Sequence, residues 1–192
     1  MKIQENQNIG ELVAQDYRTA SVFKKYKIDF CCNGNRTVAD ACEKGKIDSS
    51  KILSDLEGAM ESNVSSIDFK SWPTDLLIDY IEKTHHRYVE EKSAMLIPYL
   101  NKLCKVHGER HPELEQIKEQ FFQAADALTT HMKKEELILF PYVKAMEEAK
   151  SSHFSLSKPH FGAIENPIHM MEDEHETEGE RFRLISELSA GY

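Results

Sequence analysis

Two side chains four residues apart, His131 and Glu135, interrupt an otherwise apolar helical stripe. That stripe runs Ile117, Phe121, Ala125 and Leu128 and resumes at Ile138 and Leu139. Steps of three and four along it land on the imidazole and the carboxylate, about 40° apart around the helix and about 6 Å apart along it. A carboxylate turned into a core costs several kcal/mol unless it is partnered. A metal ion is one such partner; a surface His–Glu pair is the plainer alternative. A second stripe, Ile168, Met171, His175, Glu178, Phe182 and Ile185, again carries a histidine with a glutamate three residues on. Two helices that each aim a histidine into the same core are hard to explain by packing alone.

A third source of ligands is "HH" at 85–86. Neighbours on a helix diverge by about 100°, so only one of the two faces inward. His86 is in phase with Val89, Ser93, Leu96, Leu100 and Leu103, and His85 with Ile78, Ile81, Tyr88 and Tyr99, so the residues alone leave the choice open. Glu90, one turn beyond His86, is placed to assist it. His107 stands about 31 Å from His86 along a continuous helix, too far for one site. His111, His153 and His160 fall in breaks or loops and read as exposed, and His169 falls off its stripe. Histidine with carboxylate suits iron, manganese or zinc. Both a carboxylate-bridged dinuclear site and a mononuclear two-histidine, one-carboxylate iron site are compatible.

The elements that must position these groups are helical. Alternating β-branched runs are nearly absent, and charged residues recur at helical spacing. Residues 1–61 read as a small domain of short helices, with Thr37 and Asp48 placed as N-caps. Residues 62–74, "SNVSSIDFKSWPT", read as a linker. Residues 75–192 then give three long helices. The first is bent at Pro98, the second opens after Pro112, and the third starts near Pro167. Long amphipathic helices with short connections predict an all-α chain ending in an antiparallel bundle.

Composition narrows the classes of function. The 192 residues are 40% hydrophobic and carry a net charge of −9. An acidic chain is a poor partner for nucleic acid or an anionic membrane surface. No apolar run is long enough to span a bilayer, and "MKIQENQNIG" has no signal-peptide core, so the expected location is the cytoplasm. Cys31 and Cys32 are adjacent, just before the turn formers Asn33, Gly34 and Asn35. Neighbouring cysteines join only through a strained ring, which excludes a structural disulfide between them. Two thiols cannot fill a four-coordinate metal site, and Cys42 and Cys104 have no motif to complete one. Burial of one thiol as a small hydrophobe is the plain reading. The sharper one is a reactive pair near the N-terminus of the helix at Thr37, which favours thiolate.

Taken together, "THHRY" (84–88), "HMKKEELILFP" (131–141) and "EDEHETEG" (172–179) resemble a hemerythrin-like di-iron bundle. "ASVFKKYKI" followed by "DFCCNGNRT" (20–37) resembles the short N-terminal domain fused to such a bundle in the repair-of-iron-centres family, the ScdA- and YtfE-type iron–sulfur cluster repair proteins. The resemblance covers nearly the whole chain. It implies a cytoplasmic protein with a non-haem di-iron centre that restores clusters damaged by nitric oxide or oxidants. It implies His86, His131, Glu135 and His175 as iron ligands, with Glu135 as a bridge, and Cys31 and Cys32 as accessory redox or iron-handling thiols. The expected partners are damaged iron–sulfur proteins and a second copy of the chain, with no nucleic acid and no membrane. A hemerythrin-like sensor of oxygen, nitric oxide or iron, and a metal-free interaction bundle, are the competing functions. In one respect the chain departs from the family, whose fourth bundle helix brings another histidine and a second bridging glutamate. The chain reads as cut short after "RLISELSAGY", which leaves four ligands of six. Exposed apolar stripes and weak metal retention are expected to follow.

Overall fold

Helix caps and turn formers divide the first sixty residues into four short helices, α1 (Ile9–Gln15), α2 (Arg18–Lys25), α3 (Val38–Gly45) and α4 (Ser49–Glu61). The structure, a computed structural model, describes residues 2–31, 33–61 and 67–190. Cys32 and residues 62–66 of the expected linker lie outside the described residues. The chain divides into two units, 1–72 and 73–192.

In the first unit, Asn8 caps α1 by accepting the Glu11 N–H. Thr37 and Asp40 form a reciprocal capping box at the start of α3. Asp48 accepts the Ser50 N–H at 3.0 Å where α4 begins. These caps satisfy backbone donors that a helix start leaves unpaired. The core gathers Ile9 and Leu12 of α1, Val22 and Phe23 of α2, Val38 and Ala41 of α3, and Ile52 and Leu56 of α4. Lys25 and Tyr26 both reach Asp55 at 2.7 Å, which fastens α2 to α4. The Asn-Gly-Asn turn lies against the start of α1, where the Gly10 N–H donates to the Gly34 carbonyl at 2.9 Å. A Cβ on Gly34 would sit 2.3 Å from the Phe30 carbonyl oxygen, so only glycine allows this approach. Residues 69–71, inside the stretch read as a linker, form a 3-10 turn whose Phe69 ring meets Tyr17 edge-on.

The second unit is built from three long helical rods. The first joins α5 (Thr74–Tyr80), a π turn at Ile81–His86 and α6 (Arg87–His107). The second joins α7 (Glu113–Lys134), a π turn at Glu135–Leu139 and α8 (Phe140–Ser152). The third is α9 (Glu165–Leu188), with Pro167 in its first turn, where no intrahelical N–H is needed. α6 continues through Pro98. α7 packs against both α6 and α9, and α5 packs against α8. Among the described residues no strand forms beyond one isolated bridge, Asn8–Thr37, and no helix is long and apolar enough to cross a membrane.

The packing corrects two sequence expectations. Ile138 is 36% exposed, and Phe140 is buried in its place. A π turn adds a residue to the helical repeat, so the apolar face advances beyond it. On α9, beyond the buried Pro167 of its first turn, the buried side chains are Met171, Glu178 and Ile185, seven apart, while Ile168 and Phe182 are exposed. A seven-residue repeat is a narrower seam than the stripe read from three- and four-residue steps. Large apolar side chains stand exposed on α6 (Tyr88, Met95, Tyr99, Leu103 and Val106).

Candidate metal centre

The three long rods bring four of the sequence-predicted residues together. His131 lies in the last turn of α7, and Glu135 opens the π turn that follows. His175 faces them from α9, its ring 4.5 Å from that of His131. His131, Glu135 and His175 each offer a ligand atom, all within 4.8 Å of one another. His86, the last residue of the first π turn, places Nε2 3.0 Å from Glu135 Oε2, and its ring stacks on Phe140. Glu135 turns its other oxygen, Oε1, towards His131 Nε2 at 3.6 Å. One carboxylate therefore spans the gap between two imidazoles.

Burial separates the two candidates at 85–86. His86 is 5% exposed, whereas His85 is exposed and meets Tyr80 edge-on. Glu90 does not assist His86; its carboxylate is exposed and faces Lys133 at 4.0 Å. That role falls to Glu136, whose Oε1 lies 2.9 Å from His86 Nδ1. Glu174 does the same for His131, with Oε2 2.8 Å from Nδ1. Both carboxylates were missed by the sequence reading, since each sits one position off its stripe. The signal that could find them is the adjacent pair Lys133 and Lys134, which bind Glu136 and Glu174 respectively. Glu178 is buried but is not a ligand candidate: Arg181 takes its carboxylate at 3.0 Å. His107, His111, His153, His160 and His169 are all exposed, as expected.

A cation fits this arrangement on two observations. His131 Nε2 is a buried polar atom with no hydrogen-bond partner, a rarity that calls for an explanation. The donors are neutral-capable nitrogens and a carboxylate, the set that suits zinc, manganese and iron. A cavity of about 320 Å³ opens beside them, lined by Leu128, Thr130, Lys134 and Thr177 with His131 and His175.

The electrostatics act in opposite directions on Glu135 and His175 and on His131. Burial pushes the Glu135 carboxyl up, but His131 and then His86 pull it further down, so it is held below the usual carboxylate range. His175 is exposed rather than turned into the core as its stripe suggests; the atoms packed around its ring still desolvate it and lower its pKa, and the charge on His131 adds to that. It is ready to donate a lone pair. His131 goes the other way: the Glu135 carboxylate raises it, against desolvation, and Glu174 adds to the rise. A proton therefore competes with a cation at His131, and binding must expel it. Cation affinity is expected to rise with pH across the neutral range. Competition titrations with zinc between about pH 6 and about pH 8 check this, since unperturbed imidazole titrates in that window; a flat profile contradicts it.

Comparison with known proteins gives two family matches. Residues 5–60 match ScdA_N, a domain of unknown function. Residues 77–192 match the hemerythrin HHE cation binding domain. The chain belongs to the hemerythrin HHE family. Its relatives include the "iron-sulfur cluster repair protein ScdA" of Staphylococcus haemolyticus (strain JCSC1435), 29% identical over 185 residues, covering 96% of this chain and 79% of the relative. The protein of that name from Staphylococcus epidermidis (strain ATCC 12228 / FDA PCI 1200) is 28% identical over 190 residues, with the same coverage. The "iron-sulfur cluster repair protein YtfE" of Yersinia pestis is 28% identical over 184 residues, covering 96% of this chain and 77% of the relative. The hemerythrin HHE match contains every residue of the candidate centre, His86, His131, Glu135 and His175.

The first unit holds the remaining site candidates. Cys31 is exposed and free of any disulfide. Its N–H donates to Asp29 Oδ1 at 3.0 Å, and Asn33 Nδ2 donates to Asp29 Oδ2 at 3.0 Å. Asp29 thus holds the turn in shape. The helix end assigned to the thiols is served by its own side chains, Thr37 and Asp40. Cys42 and Cys104 are buried, and burial pushes both thiols up, away from thiolate.

Proposed function

We propose that this protein binds iron at His131, Glu135 and His175, with His86 completing the donor set, and serves the repair of iron–sulfur clusters damaged by nitrosative or oxidative stress. The observation that carries the reading is the convergence of three imidazoles on one carboxylate inside a cation-binding domain. The N-terminal partner of that domain is the one found in relatives named cluster repair proteins. Glu135 directs one oxygen to His86 and the other towards His131, which supports a dinuclear site with Glu135 between the ions. His175 lies on the side of His131, which leaves His86 to serve the second ion. Iron held there is the metal that a degraded cluster has lost, and its release is the supply that repair needs. The protein's own side chains hold that iron reversibly, because a proton, favoured at His131 by the Glu135 and Glu174 carboxylates, competes with it for the ring. Damaged iron–sulfur proteins are then its partners, a homodimer its assembly and the cytoplasm its place. Cys31 and Cys32 act as accessory thiols that pass iron or electrons.

The test is recovery of a cluster enzyme inactivated by nitric oxide. Iron-loaded protein is expected to restore its activity, and the His131→Ala protein, given the same iron, is expected not to. Equal recovery with both proteins, or with iron alone, overturns the proposal. Cys31→Ser with Cys32→Ser is expected to slow recovery without changing iron content.

A further inference from the structure

Three carboxylates surround the two buried imidazoles, and they are not equivalent. Among the described residues, Glu135 pairs with no lysine or arginine; its partners are His86 and His131. Glu136 and Glu174 each hold a lysine as well as an imidazole. Glu136 Oε1 meets His86 Nδ1 at 2.9 Å while Oε2 meets Lys133 Nζ at 2.6 Å. Glu174 repeats the pattern, with Oε2 on His131 Nδ1 and Oε1 on Lys134 Nζ. The two lysines are neighbours in sequence yet serve different rings, because successive helical residues diverge by about 100°.

We infer that Glu136 and Glu174 are positioning residues, each anchored by its lysine, that hold His86 and His131 by accepting from Nδ1–H, which leaves Nε2, on the Glu135 side of each ring, as the atom that meets a cation. A carboxylate can only accept, so the ring nitrogen facing it must carry the hydrogen; by the same rule His86 Nε2, 3.0 Å from Glu135 Oε2, carries a hydrogen that the cation replaces. Its lysine saturates the second oxygen and keeps the carboxylate from swinging to the cation. Glu135 alone keeps its oxygens for that purpose. A carboxylate behind a ligating imidazole orients the ring and makes it a better donor, and losing such a group commonly lowers metal affinity about 10- to 100-fold. This inference rests on the reading of the site as an iron centre.

A purely structural role is the competing explanation, since the Lys134–Glu174 pair also ties α7 to α9. The experiment separates the two. Zinc affinity is measured by competition for the wild type, Glu174→Ala, Glu174→Gln and Lys134→Met, alongside nitrogen–proton NMR of the zinc-bound imidazoles. In the wild type, the hydrogen is expected on Nδ1 and the metal on Nε2. Glu174→Ala is expected to lose about 10- to 100-fold in affinity together with the ordered Nδ1–H signal of His131. Glu174→Gln, whose carbonyl oxygen still accepts that hydrogen, is expected to recover most of both. Lys134→Met breaks the tie between helices but leaves the acceptor, and is expected to lose less than Glu174→Ala. Glu136→Ala makes the same test on His86 without touching the α7–α9 contact, which covers the case in which Glu174→Ala does not fold. Zinc affinities within about twofold of wild type in both alanine variants would overturn the inference and leave the iron reading standing. Failure of the wild type to bind zinc and iron alike would overturn both.

Discussion

Replacing His131 with alanine is expected to lower cation affinity by more than about 100-fold, beyond the usual loss for a residue behind a ligand. Two losses act together. One of the three donors that lie within 4.8 Å of one another disappears. Glu135 also loses the group that does most to hold its carboxyl below the ordinary range against burial, so it is protonated more readily. A protonated carboxyl is a poor ligand, which leaves His175, on a different helix, as the one intact donor of the three. Helical content should be unchanged, because the cavity left beside α9 adjoins space already open. His169→Ala is the matched control: that ring is exposed and pairs with Glu172 at the surface. Isothermal titration with zinc or cobalt distinguishes the two, and equal affinity in both variants would remove His131 from the site.

The second large effect lies on the seam between α7 and α9. Arg181 Nε donates to the buried Glu178 carboxylate at 3.0 Å, and Nη1 donates to Gln120 and Gln123 of α7 at 3.0 and 2.6 Å. Arg181→Ala leaves a carboxylate buried without a cation and severs the polar tie between the two helices. Removing one member of a buried pair costs about 3 kcal/mol or more. Urea unfolding of the Arg181→Ala protein should register that loss. Adding Glu178→Gln should recover part of it, because the stranded charge goes as well. Arg87→Ala, which breaks an exposed pair with Glu91, should change stability by less than about 0.5 kcal/mol. Since α9 carries His175 and α7 carries His131, Arg181→Ala is also expected to weaken cation binding. An Arg181→Ala protein as stable as Arg87→Ala would mean that Glu178 is satisfied some other way.

What the sequence reveals of this centre follows from helical geometry. His131 and Glu135 are legible because four residues return a helix nearly to the same face, and the helix is regular up to Glu135. The choice between His85 and His86 is not legible, and the reason is physical. A π turn occupies Ile81–His86, so residues before and after it follow different registers. His85 is in phase with Ile78 upstream and His86 with Leu96 and Leu100 downstream, and no single stripe accommodates both. Two competing phases across one short stretch are themselves a signature of a π turn. The same slip misplaces Ile138 after Glu135. Glu136 and Glu174 are hidden for another reason: the imidazoles they meet lie on other helices, so those contacts are tertiary, and periodicity along one helix does not carry them. In the first unit, the caps at Thr37 and Asp48 are legible because capping is local. The same local pattern, Thr37 with Asp40 three residues on, forms a capping box that occupies the helix end otherwise assigned to the cysteines.

The central claim is that these side chains hold iron. An anaerobic ferrous titration of the whole chain, followed by Mössbauer spectroscopy at each addition, addresses it at equilibrium and does not depend on retention through purification. Saturable binding with a nitrogen- and oxygen-ligated signature in the wild type, absent from His131→Ala and Glu135→Ala, is the expected result. No specific iron signal in the wild type, or the same signal in all three proteins, would contradict it.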